Sequence, residues 1–208
     1  MCYLQDNFAA LRKPREPWLV PAMSEIRSIC VYCGSGPGRD PAFMAAAEKT
    51  GRLIAEARIR LVYGGGDAGL MGATARAALA AGGEVTGIIP EFLKTRERMA
   101  MGVQEMIVVP DMHTRKQLMF EKADAFVALP GGIGTLEELI EQMTWAQLGR
   151  HKKPILMLNT ANFWKPLLVL LEHMREADFI RAGFEVETMV AERPEDVIPM
   201  LRAKAGRI

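Results

Sequence analysis

Residues 125–148 read AFVALPGGIGTLEELIEQMTWAQL, and the fold class turns on them. Ala125–Leu129 is an apolar run without polar alternation, the pattern of a strand buried on both faces. Pro130 and the cluster Gly131-Gly132-Ile133-Gly134 break the run. Leu136–Leu148 then reads as an amphipathic helix, and Ile155–Leu158 as the next buried strand. Strand, glycine loop, helix and strand in that order make a right-handed βαβ unit with parallel strands.

The same alternation extends in both directions. Upstream, strands are expected at Ile26–Cys33, Arg60–Tyr63, Glu84–Ile89 and Val103–Val109, with helices at Pro41–Ala57, Leu70–Ala81 and Met112–Lys122. Downstream come a helix at Lys165–Ala177, a strand near Thr188–Val190 and a helix at Glu195–Lys204. The pattern predicts an α/β protein, a doubly wound parallel sheet with helices on both faces. The chain has 208 residues, half of them hydrophobic, enough for one core and one domain spanning 25–208. Residues 1–24 carry Pro14, Pro17 and Pro21 and scattered charges, and read as an irregular arm rather than a secretory signal. Two accounts of the arm stand: a mis-called start ahead of Met23, which is preferred, or an arm that packs Trp18 on a partner subunit.

A formal net charge of +1 gives no electrostatic footprint for nucleic acid. No apolar run approaches the ~20 residues that cross a bilayer, so no membrane partner is expected. Cys2, Cys30 and Cys33 are too few and too odd in number for a disulfide scaffold, and a reducing, cytoplasmic setting is expected. Cys30-Val-Tyr-Cys33 matches C-x-x-C. In a strand, however, residues three apart face opposite ways with Cα atoms ~10 Å apart, beyond the ~7 Å a disulfide spans. The two thiols are therefore expected to be buried packing groups.

Three glycine clusters each follow a strand and precede a helix: Gly34-Ser35-Gly36-Pro37-Gly38, Gly64-Gly65-Gly66-Asp67-Ala68-Gly69 and Gly131–Gly134. All three fall at the carboxyl edge of a parallel sheet, where open α/β folds bind ligands. Glycine admits close backbone approach, and helix N-termini offer free N–H groups and a positive dipole end to phosphate. A phosphate-bearing ligand is expected. Gly64-x-Gly66-x-x-Gly69 also matches the dinucleotide fingerprint. It follows the second strand rather than the first, and the third strand ends in Ile88-Ile89-Pro90 with no acid at its tip, which counts against a nicotinamide cofactor.

Thr135-Leu136-Glu137-Glu138 has two readings. One is a capping box, with Thr135 as N-cap and Glu138 three residues on. The other is a carboxylate one turn behind a phosphate loop, placed to stabilise an oxocarbenium-like ribosyl cation and to orient water. Glu138, Glu141 and Trp145 share a helix face. Upstream, Asp111 reads as an N-cap, and Arg115 and Lys116 follow within about a turn of that helix N-terminus. The dipole disfavours cations there by up to ~1 kcal/mol, which an anionic ligand would offset; the bland account is a solvated charged face. His113, His151 and His173 lack metal-ligand spacing, no Gly-x-Ser-x-Gly elbow is present, and fourteen methionines read as core fillers. No metal and no cofactor are expected.

Pro130-Gly-Gly-x-Gly-Thr-x-x-Glu138, with Met112-His-x-Arg115-Lys116 upstream, resembles the LONELY GUY family of cytokinin riboside 5′-monophosphate phosphoribohydrolases. Val31-Tyr-Cys-Gly-Ser35, Tyr63-Gly-Gly-Gly66 with Gly69-Leu-Met-Gly72, and Ile88-Ile-Pro90 fit the same family, so the likeness runs from about residue 26 to 205. The resemblance implies a Rossmann-like fold, a homodimer or larger assembly, and hydrolysis to free base and ribose 5-phosphate. It implies Arg115 and Glu138 as the essential pair. Gly132, Ile133, Gly134 and Thr135 would hold the phosphate, with Leu136 and Glu137 beside it. Gly34 and Ser35 would lie near the nucleotide, and Glu97, Lys116 and Thr144 would contact the ligand. Family members also carry the label lysine decarboxylase, which no lysine in this sequence supports. Two other classes stay open: a nucleotide-binding module without catalysis and an NAD(P)-dependent oxidoreductase. The base, adenine or a prenylated adenine, is not specified; Met99, Met101 and Trp145 could wall a prenyl pocket or pack the core.

Overall fold

The protein is described by a computed structural model, and the structure describes residues 25–94, 102–180, 183 and 189–206. The arm at 1–24, Glu97, Met99, Met101 and Thr188 lie outside the described residues.

Seven strands form one parallel sheet: β1 Ser28–Tyr32, β2 Arg60–Tyr63, β3 Val85–Pro90, β4 Glu105–Val109, β5 Ala125–Ala128, β6 Ile155–Leu158 and β7 Met189–Ala191. Among the described residues six α-helices accompany them, five between strands and the last after β7: α1 Pro41–Glu56, α2 Gly69–Ala80, α3 Met112–Glu121, α4 Ile133–Gln147, α5 Lys165–Glu176 and α6 Pro194–Ala205. The spatial order is β4-β3-β2-β1-β5-β6-β7. The chain winds outward from β1 to β4 on one side, then returns to β5 and winds outward on the other. The doubly wound expectation holds, with the switch point between β1 and β5. These strands pair in register from Ile29 against Ala125 to Tyr32 against Ala128.

Side-chain alternation along β1 divides the core. Ile29, Val31 and Cys33 enter one layer with residues of α1, α2 and α6. Cys30 and Tyr32 enter the other, with Met119 of α3, Leu139 and Met143 of α4, and Trp164 ahead of α5. The two cysteines thus lie on opposite faces, buried and free, as strand geometry requires. Among the described residues no helix is long and apolar enough to cross a membrane.

Candidate active site

Two loops meet over the switch point. The Gly34 amide donates to the Pro130 carbonyl (3.0 Å), tying the loop after β1 to the loop after β5. Glycine is required at 131: a Cβ there would lie 2.2 Å from Thr135 Oγ1 and 2.8 Å from the Gly34 nitrogen. The chain then enters α4 with Gly132 as N-cap and no side-chain cap. The Leu136 amide donates to Gly132 (3.0 Å), and among the described residues no bond is made by the amides of Ile133, Gly134 and Thr135. Three amides left open among the described residues and the positive end of a fifteen-residue helix give this turn the character of a place where an anion could be seated.

The capping-box reading is overturned here. The helix starts at Ile133, three residues earlier than the glycines suggest, because Gly132 adopts the extended cap conformation itself. Thr135 is therefore an interior residue, and Glu138 lies in the second turn with its side chain turned inward, 8 % exposed.

Opposite Glu138 stands Arg115, 6 % exposed. Asp111 caps α3 by accepting from the Thr114 amide (2.8 Å), which places Arg115 one turn in, facing the sheet edge. Its Nε donates to the Ile88 carbonyl and one terminal nitrogen, Nη2, to the Gly64 carbonyl, each at 3.1 Å. The other terminal nitrogen, Nη1, lies 3.7 Å from Met112 Sδ and 3.8 Å from Glu138 Oε1. The cation and the carboxylate are thus paired electrostatically but stand beyond hydrogen-bond distance.

Lys116 points into the α3–α4 seam. It donates to Glu137 and to Glu141 Oε1, the latter at 3.0 Å. Burial opposes its charge, but the bonds to Glu137 and Glu141 prevail and raise its pKa. Thr144 is not brought to the pair: its hydroxyl donates to the Ile140 carbonyl (2.8 Å), and it borders an apolar groove between α4 and α5. Tyr32, which the sequence reading did not single out, ends β1 beneath Glu138. Its phenol is pushed up by burial first, then by Cys30, Glu138 and Glu141. Burial and the charge of Glu138 likewise raise Cys30, so this thiol is protonated and unsuited to nucleophilic work.

The second glycine loop does not form a separate phosphate seat. The α2 N-terminus is covered by the first loop, the Met71 amide donating to the Gly34 carbonyl (3.2 Å). Its contribution to the site is the Gly64 carbonyl. The arrangement offers an anion seat, a buried carboxylate one turn further along the same helix and a fixed guanidinium beside it. Such a set can bind a phosphate monoester and stabilise positive charge developing a few ångströms away.

A family model described as "possible lysine decarboxylase" matches residues 71–201. The chain is 46 % identical over 178 residues to a cytokinin riboside 5′-monophosphate phosphoribohydrolase of Rhodococcoides fascians, spanning 85 % of this chain and 90 % of that protein. It is also 46 % identical over 157 residues to a protein of the same name from Arabidopsis thaliana (76 % and 72 %). Among solved structures it resembles a molybdenum cofactor binding protein from Rippkaea orientalis, with a TM-score of 0.63, 23 % identity, and coverage of 86 % of this chain and 98 % of that one. The Moco carrier protein from Chlamydomonas reinhardtii gives a TM-score of 0.63 at 22 % identity (88 % and 100 %). At these identities the structural likeness shows the fold alone. Lys116, the lysine nearest the Arg115–Glu138 pair in sequence, has its pKa raised by two carboxylates, the opposite of what an amine nucleophile there would need.

Proposed function

Because the chain belongs to the LONELY GUY family, the family of the cytokinin riboside 5′-monophosphate phosphoribohydrolases it matches, we propose that it hydrolyses the N-glycosidic bond of adenosine-type 5′-monophosphates. Free base and ribose 5-phosphate are the products, and N6-prenylated adenine is among the bases released. The observation that carries the reading is the buried Arg115–Glu138 pair one turn behind an uncapped helix N-terminus.

The 5′-phosphate sits on the amides of Ile133, Gly134 and Thr135, with Gly34 and Ser35 closing the seat from the facing loop. The ribose then extends toward Glu138. As the C1′–N bond breaks, positive charge grows on the ribosyl ring, and the carboxylate stabilises it. Glu138 also orients water. The water oxygen bonds to C1′, one of its protons ends on the departing base nitrogen, and the other stays on the new hydroxyl. Arg115, tethered to two carbonyls and standing 3.8 Å from Glu138, orients the nucleotide. Lys116 and Glu137 belong to the wall beside the phosphate. The free thiols and the nucleotide substrate are consistent with a cytoplasmic enzyme.

The assembly is a homodimer, supported by α5. No residue of this helix is fully buried: Leu167, Leu168 and Leu171 pack partly against the core, and Val169 (61 %), Leu170 and, just beyond, Phe179 (84 %) stand exposed. Between α5 and α4 runs a groove of about 670 Å³ lined by Leu136, Ile140, Met143, Leu167 and Leu171.

Glu138→Gln keeps the shape of the side chain and removes its charge. It is expected to lower kcat by at least ~10²-fold, the scale of one lost transition-state contact, while AMP still binds, as calorimetry would register. Normal turnover by this variant would return Glu138 to a structural role. Binding without turnover by the wild type would favour a nucleotide-binding module.

A further inference from the structure

The second glycine cluster is the sequence motif that the phosphate seat leaves unused. Gly64 follows the last residue of β2, and its carbonyl accepts from Arg115 Nη2 at 3.1 Å. A Cβ built on Gly64 would lie 2.0 Å from that same nitrogen, 3.2 Å from Arg115 Cζ and 3.1 Å from Met71 Sδ. The guanidinium thus occupies the space that a side chain at 64 would fill. Its other anchor, the Ile88 carbonyl, is on the neighbouring strand. Gly64 has no positive φ, so its backbone would accept alanine; the side-chain slot would not.

We propose that Gly64 is a positioning residue: its carbonyl and its missing side chain together form the slot that holds Arg115 beside Glu138. This rests on the reading of Arg115 as part of the reacting site. The group that collides with a new methyl is the far end of a flexible arginine. Gly64→Ala should therefore leave the fold intact and evict the guanidinium, separating function from stability more cleanly than most glycine substitutions.

The test is a double-mutant cycle in the full chain with Gly64→Ala, Arg115→Ala and both together, using AMP and N6-isopentenyl-AMP as substrates. The expected results are a melting temperature for Gly64→Ala within a few degrees of wild type and a kcat loss within about threefold of that of Arg115→Ala, with a smaller change in KM. The double variant should be no worse than Arg115→Ala alone, because residues that act as a unit do not add. Losses that multiply in the double variant, or a Gly64→Ala enzyme with more than about half of wild-type kcat/KM, would overturn the proposal. Should the wild type release no base from either nucleotide, the reaction reading fails by itself, and a crystal structure of Gly64→Ala decides the slot. A guanidinium displaced from the Ile88 carbonyl supports it; one still bonded there overturns it.

Discussion

Arg115 and Glu138 are both nearly buried, and a buried ion pair is poor evidence of stabilisation, since desolvation offsets most of the attraction. A pair held at 3.8 Å rather than closed into a hydrogen bond gains still less. Its presence at the sheet's switch point is better explained by chemistry than by stability. His151 is the opposite case, a titratable residue with a purely structural position. Its Nε2 donates to the Gln142 carbonyl (3.2 Å) and its Nδ1 accepts from the Lys153 amide (3.1 Å), which requires the neutral ring. Burial lowers its pKa, and Lys153 and Arg150 add to that against the opposing bond to Gln142. A base whose folded pKa is depressed contributes no penalty above the ordinary imidazole value of ~6.5. Stability is then lost as pH falls through that value toward the lowered folded one. Melting temperatures measured from pH 8 to 5 should fall more steeply for wild type than for His151→Gln; parallel curves would contradict this account.

At the scale of elements, α4 serves three functions on three sides. Its uncapped N-terminus is the proposed phosphate seat, its inner face carries Glu138, and its outer face borders the apolar groove shared with α5. The seam between α3 and α4 is closed by Lys116 lying between Glu137 and Glu141, so the helix that carries Arg115 and the helix that carries Glu138 are held at a fixed spacing. The uncovered side of α5 has a direct consequence. The proposed homodimer predicts a dimeric wild type in sedimentation experiments and a monomeric Leu170→Glu variant with unchanged helical circular dichroism. A wild-type monomer, or a Leu170→Glu variant that still dimerises, would contradict the assignment of this face.

For the whole molecule, the strand and helix pattern was legible because parallel strands covered on both sides must be continuously apolar. Arg60–Tyr63 and Ile155–Leu158 were read to the residue, and the other strand limits to within two residues. The pairing of Arg115 with Glu138 was legible as family motif and as position after β4 and β5, though not as geometry. Three features escaped for identifiable reasons. The first turn of α4 was missed because Gly132-Ile133-Gly134 has low helix propensity and forms there only because Gly132 caps it. The tether of Arg115 escaped because its partners are the carbonyls of Gly64 and Ile88, which no side-chain pattern encodes. Lys116 looked free for a ligand because its carboxylate partners lie 21 and 25 residues away on another helix. The measurement that tests the central claim most directly is chromatographic product analysis of the purified protein with AMP and with N6-isopentenyl-AMP, the free nucleosides serving as controls. Release of free base and ribose 5-phosphate from the monophosphates and not from the nucleosides is the predicted result. Absence of release from both monophosphates, or equal release from the nucleosides, would contradict it.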